Sequence, residues 1–215
     1  MLKEHLKTYL PNSNLRRGHI VFYIAINIIV CILTITNLSL QHWFDYCWWH
    51  IGLVNVDSTA VFYGLEDWDT LSELRDELCG SKQDEFEKYC PNICDNIYNF
   101  SYAGGFMILT GVLVLLSSSW TIFLHVQLYR KPHIRVTFVG KYIMLPFILY
   151  FLGILCYVGI INLPNLEKVH QHDLSSEDAP SDPEYNLGLG LAIFNTGMTG
   201  CVMMYGICVT WRTFA

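Results

Sequence analysis

Four long stretches of this chain contain no Asp, Glu, Lys or Arg. Ile20–Leu40, Ser101–Leu128, Tyr142–Leu163 and Asn186–Trp211 run for 21, 28, 22 and 26 residues. About 20 apolar residues in a helix cross a hydrocarbon core of about 30 Å. Helices buried in a soluble protein carry a polar face, and these runs do not alternate that way. Charged residues make up only 15% of the chain and mean hydropathy is +0.33, whereas a soluble domain is about 25% charged. The composition excludes a disordered chain and disfavours an ordinary soluble globule. The net charge of -6 excludes the basic footprint of a nucleic-acid binder. The first run lies behind 19 residues and has no small-residue cleavage site after it, so it reads as a retained span rather than a signal peptide.

The bases between the runs set an orientation. Residues 1–19 hold Lys3, Lys7, Arg16 and Arg17 against Glu4, and residues 129–141 hold Arg130, Lys131, Arg135 and Lys141 with no acid. Residues 41–100 hold 12 acids and three bases, and residues 164–185 six acids and one base. Lys and Arg near the membrane mark the cytoplasmic side. The expected order is a cytoplasmic N-terminus (1–19), a span (20–40), an outer loop (41–100) and a second span (101–128). A cytoplasmic loop (129–141), a third span (142–163), a second outer loop (164–185), a fourth span (186–211) and a cytoplasmic tail (212–215) follow. Both termini are then cytoplasmic.

Cysteine usage points the same way. Cys31, Cys156, Cys201 and Cys208 fall in spans, while Cys47, Cys79, Cys90 and Cys94 all fall in the first outer loop. An even set confined to one outward segment is the pattern of a disulfide framework. Four cysteines allow three pairings, and Cys79 is expected to pair with Cys90 or Cys94. Their spacings do not match a zinc site.

Trp43–Leu65 is rich in β-formers interrupted by Gly52, Asn55 and Gly64, which predicts two or three short strands. From Asp67 to Asn99, Leu71, Leu74 and Leu78, then Phe86, Tyr89, Ile93 and Ile97, recur at helical steps. Asp69 or Thr70 is placed to cap the first helix, and Pro91 fits the first turn of the helix leading into the second span. The fold class is thus an all-α transmembrane four-helix bundle with a disulfide-stapled extracellular loop containing a small β-sheet and helices.

Trp43 just after the first span, Gly52-Leu53 downstream, and paired cysteines before the second span follow a known order. With the four-span topology, this resembles the claudin-like tetraspan superfamily of claudins, peripheral-myelin-type proteins and stargazin-type channel subunits. Val54 stands where claudins place a tryptophan after Gly-Leu, and two cysteines exceed the claudin pair. The resemblance implies a plasma-membrane location and a non-catalytic role. One such role is an auxiliary or structural subunit of a larger polytopic assembly, for example an ion channel complex. The other is cell-cell adhesion or a paracellular barrier through copies of the chain itself, for which Trp48, Trp49 and Phe62 are candidate contacts.

The spans lack the ionisable residues that mark ion pathways or catalysis. His125 is the exception, and its place near a span end reads as interfacial. Motifs for phosphate binding, zinc proteolysis and acyl transfer are absent, so neither an enzyme nor a cofactor is expected. His170 and His172 sit in an acidic loop that reads as solvated. Gly104 and Gly111, and Gly190 and Gly197, are each seven apart and are expected to line helix-packing stripes. Pro146 is expected to kink the third span.

Overall fold

The computed structural model describes residues 13–47, 49–58, 70–82, 86–87, 90–130, 142–162 and 181–214. In chain order the elements are α1 (Ser13–Leu38), β1 (Phe44–Cys47), β2 (Trp49–Ile51), β3 (Val56–Ser58), α2 (Leu71–Glu77), a π-helical turn (Leu78–Lys82), α3 (Ile93–Arg130), α4 (Leu145–Ile161), β4 (Ser181–Tyr185) and α5 (Leu187–Phe214). Three helical segments, Arg17–Leu38, Ile93–Arg130 and Leu187–Cys208, are long and apolar enough to cross a membrane. The remaining apolar run forms the 17-residue α4.

α3 has 38 residues, which at 1.5 Å per residue is about 57 Å. It starts eight residues before the uncharged run, so Cys94, Asn96, Ile97 and Phe100 stand on the same helix as the apolar stretch. α2 is capped by Thr70, whose hydroxyl accepts from the Glu73 amide at 3.3 Å. That resolves the choice between Asp69 and Thr70. Pro146 stands in the first turn of α4 rather than mid-helix, where a missing N–H breaks no ladder bond. It therefore opens the helix.

The chain forms two compact units. The first comprises Met1–Thr34, Val112–Tyr150 and Asn195–Ala215. Its apolar core is Tyr23, Val30, Ile143 and Val202, with Ile26, Met198, Met203, Tyr205 and Ile207 packed around it. A polar seam lies beside that core. Asn195 donates from Nδ2 to the Thr34 hydroxyl at 2.9 Å, linking α5 to α1. His125 is buried, at 6% exposure, and stacks on Tyr23 with ring centroids 4.0 Å apart. Its Nδ1 lies 2.7 Å from the Thr121 carbonyl, which as an acceptor fixes the proton on that nitrogen. Ser117, Ser118, Thr121 and His125 are all buried and form an inward polar face of α3.

The second unit comprises Ile35–Gly111 and Phe151–Phe194. It holds a four-stranded antiparallel sheet ordered β3-β2-β1-β4. Three strands lie in the predicted stretch. The fourth comes from Ser181–Tyr185, a segment that reads as a solvated loop in sequence, and it contains Pro183. Proline lacks a ladder donor and is confined to edge strands, and β4 is an edge strand.

The glycine stripes divide. A Cβ at Gly111 would come within 2.7 Å of the Leu38 side chain, and one at Gly104 would collide with the Leu53 carbonyl. At Gly190 and Gly197 a Cβ would meet nothing within 4 Å, and both residues are exposed. Those two do not pack against the described chain; seven-residue spacing defines a stripe but not the direction it faces. Neighbouring glycines give a controlled test. Gly104→Ala should lower thermal stability in detergent by about 1–3 kcal/mol through the backbone clash. Gly105→Ala, where the space is open, should be neutral within about 0.5 kcal/mol or stabilising.

Candidate functional site

Side chains alternate across a strand, and here the alternation separates two chemistries. Phe44, Tyr46, Trp49, Ile51 and Val56 are buried on one face of the sheet. Phe44 and Tyr46 lie against Phe100 of α3, with centroids 4.8 and 5.6 Å apart, and Trp49 lies 6.0 Å from Phe86. The Tyr46 hydroxyl donates to the Pro91 carbonyl at 3.1 Å and accepts from Asn96 Nδ2 at 2.8 Å. Trp43, fully buried, donates from Nε1 to the Asn37 carbonyl at 3.2 Å and packs edge-on against Tyr157 at 5.1 Å. Gly52 and Leu53 open the turn between β2 and β3. Gly52 donates to the Asn55 carbonyl at 2.8 Å, and Leu53 lies against Gly104. Trp43, Gly52 and Leu53 are therefore all packed into the scaffold.

Two disulfides fix this scaffold: Cys47 with Cys90 and Cys79 with Cys94. Cys79 takes one of its two expected partners. Cys47, the last residue of β1 before its antiparallel partner β2, has φ of 56°. Tight hairpin turns need positive φ, and the bridge to Cys90 joins that turn to the approach to α3.

The opposite face carries charge. Asp57 pairs with His50 across β3–β2, His50 with Asp45 across β2–β1, and Asp45 with Glu184 across β1–β4. Directly opposed residues share a face, so one row reads Asp57-His50-Asp45-Glu184. Asp57 and Glu184 are exposed, and the His50 and Asp45 side chains are 33% and 22% exposed. Like charges directly opposed destabilise a sheet. Asp45 opposite Glu184 is such a pair, and two further groups hold the Asp45 carboxylate. His50 Nδ1 is 2.6 Å from Oδ1, and Asn186 Nδ2 donates to Oδ2 at 2.8 Å. Asn186 Oδ1 also accepts from the amide of Leu187, the first residue of α5, at 2.7 Å. His42 stands edge-on to His50 with centroids 4.7 Å apart.

Trp49, a candidate partner contact by sequence, is 1% exposed and faces the core, because strand parity puts it on the same side as Ile51. Trp48 and Phe62 lie outside the described residues, as do His170 and His172. Sequence reasoning misses Asp45, His50, Asp57 and Glu184. Their signal is the alternation Phe44-Asp45-Tyr46 and Trp49-His50-Ile51, which becomes readable only with the register. Among the described residues, no three His, Cys, Asp or Glu side chains are grouped to hold a metal ion. No family model matches the chain, and no curated protein matches it significantly.

The disulfide assignment is directly testable. Non-reducing peptide mapping should recover a Cys47–Cys90 link and a Cys79–Cys94 link. Loop-closure entropy scales with the residues enclosed. With separations of 43 and 15 residues, removing the first bridge should destabilise by about 4 kcal/mol and the second by about 3 kcal/mol, measured as detergent-resistant melting.

Proposed function

We propose that this chain is a four-span membrane protein that acts as a non-catalytic auxiliary or structural subunit of a larger membrane assembly, such as an ion channel complex. In this reading the three long apolar helices and α4 cross the membrane as a bundle. Both termini are cytoplasmic, the sheet is extracellular, and the membrane is the plasma membrane. The claudin-like arrangement of Trp43, Gly52-Leu53 and the paired cysteines supports it, as does the concentration of bases in residues 1–19 and 129–141.

The observation that carries the role is the row Asp57-His50-Asp45-Glu184, with Asp57 and Glu184 exposed, on a sheet whose other face is locked by aromatic packing. A rigid scaffold that presents the two exposed acids Asp57 and Glu184 suits a basic partner surface, because complementary charge steers encounter and fixes register. Cell-cell adhesion through copies of the same chain is the competing role. It would bring this acidic row toward another acidic surface unless a different patch is used.

Purification of the tagged chain from its native membranes in mild detergent tests the proposal. The expected particle contains a large polytopic protein in fixed ratio. Asp57→Lys combined with Glu184→Lys should reduce that co-purification at least tenfold, about 1.4 kcal/mol, while leaving both disulfides intact. A particle made of this chain alone would reject the subunit role and favour adhesion.

A further inference from the structure

The first unit carries charge of almost one sign. Met1–Thr34, Val112–Tyr150 and Asn195–Ala215 hold nine of the chain's 13 Lys and Arg and one of its 19 acids, Glu4. None of the unit's described residues is Asp or Glu, so no carboxylate among them neutralises a base. The described bases stand toward helix ends: Arg16 and Arg17 near the start of α1, Arg130 at the end of α3 and Arg212 in the last turn of α5. Two contacts bring those ends together. The Arg17 guanidinium lies over the Tyr129 ring, 5.7 Å from its centroid, and Arg130 is the next residue. His19 Nδ1 is 2.6 Å from the Tyr205 hydroxyl, which joins the same end of α1 to α5.

Apolar side chains continue from these cations on the same helix faces. Residues four or seven apart on a helix share a face. Val21 follows Arg17 by four residues and Phe123 precedes Arg130 by seven, and both are exposed. Trp120, also exposed, stacks on Phe123 with centroids 5.5 Å apart. Each face thus passes from cation to apolar surface within about 6–10 Å, at 1.5 Å per residue. Arg17 and Arg130 are themselves exposed, and Tyr129 is half-exposed beside them. The ligand that complements a cationic rim continuous with apolar surface is an anion carrying a hydrocarbon tail. An acidic protein segment would match the cations and leave the apolar strip uncovered.

We propose that Arg17 and Arg130 form a site for the phosphate headgroup of an anionic phospholipid, with its acyl chains along Val21, Trp120 and Phe123. The inference rests on the reading of α1 and α3 as membrane spans. An arginine fork pairs with two phosphate oxygens at once and keeps its charge at any physiological pH. The Tyr129 ring holds the Arg17 guanidinium at the level of the headgroups, where aromatic side chains gather. Bases at span ends draw anionic lipid, each Lys or Arg contributing about fivefold in affinity.

The purified full chain tests the site. It is equilibrated in mild detergent with equal amounts of phosphatidylserine and phosphatidylcholine, and the lipid retained is read by native mass spectrometry. Phosphatidylserine should be preferred about 25-fold, for two arginines. Arg17→Gln combined with Arg130→Gln should remove the preference, whereas Arg75→Gln, at an arginine of the second unit, should leave it unchanged. Should the double variant fail to fold, the wild-type preference and each single variant, expected to lose about fivefold, decide the matter. Equal retention of the two lipids by the wild type, or a preference that survives both substitutions, overturns the site. Excess inorganic phosphate should release no more lipid than chloride at equal ionic strength, because it makes none of the apolar contacts. Selective release by phosphate would overturn the lipid in favour of a free-phosphate site. A chain that stays in solution with neither detergent nor lipid rejects the spans, while one that needs them and is indifferent to headgroup rejects this site alone.

Discussion

The indole of Trp43 is where the second unit is tied together. Its Nε1–H closes on the Asn37 carbonyl at the end of α1, and its ring meets Tyr157 of α4. A Cβ at Gly188 in α5 would come within 2.5 Å of that ring. Its backbone joins the sheet on both sides, donating to the Ile51 carbonyl at 2.9 Å and accepting from the Asn186 amide at 3.0 Å. One fully buried side chain thus fixes α1, α4, the sheet and α5 against one another. Gly188 is glycine because the ring occupies the space that any side chain would need. Burying an indole of this size contributes on the order of 2–3 kcal/mol from area alone, and its donor is satisfied, so none of that gain is lost to an unpaired N–H.

With Trp43 and the Cys47–Cys90 bridge in place, strand parity decides the rest. Phe44, Tyr46, Trp49 and Ile51 must face α3 and Phe86, and so Asp45 and His50 must face the other way. The same parity sets Asp57 and Glu184 beside them once β3 and β4 pair. The charge row is a consequence of packing the aromatic face. Its like-charged opposition of Asp45 and Glu184 is tolerated because His50 and Asn186 engage the carboxylate.

Much of this is legible from residue types and spacing. The uncharged runs locate the helices, because a hydrocarbon core admits little else over that length. The β-formers after Trp43 predict two or three strands where three form, and Thr70, one of two candidate caps, caps α2. Other features depend on residues distant in sequence. β4 has no β-forming signature; it is a strand because the free edge of β1 offers backbone groups that Ser181–Tyr185 satisfies. Trp49 carries a strong aromatic signal, but the signal does not say which face it serves. The burial of His125 is legible in its spacing, because Ser118, Thr121 and His125 at steps of three and four mark an inward polar face. Gly190 and Gly197 share a spacing with Gly104 and Gly111 and differ in what lies opposite, which only the fold supplies.

The proposed docking role of the charge row is tested most directly by site-specific photo-crosslinking in native membranes. A benzophenone side chain is placed at Asp57 or at Glu184, with Ile193, exposed on α5, as the control position. If the row is a partner surface, both sheet positions yield one discrete adduct with the same polytopic protein, and the crosslinked peptide on that protein is rich in Lys and Arg. Adducts only to lipid, or only to a second copy of this chain, would contradict it.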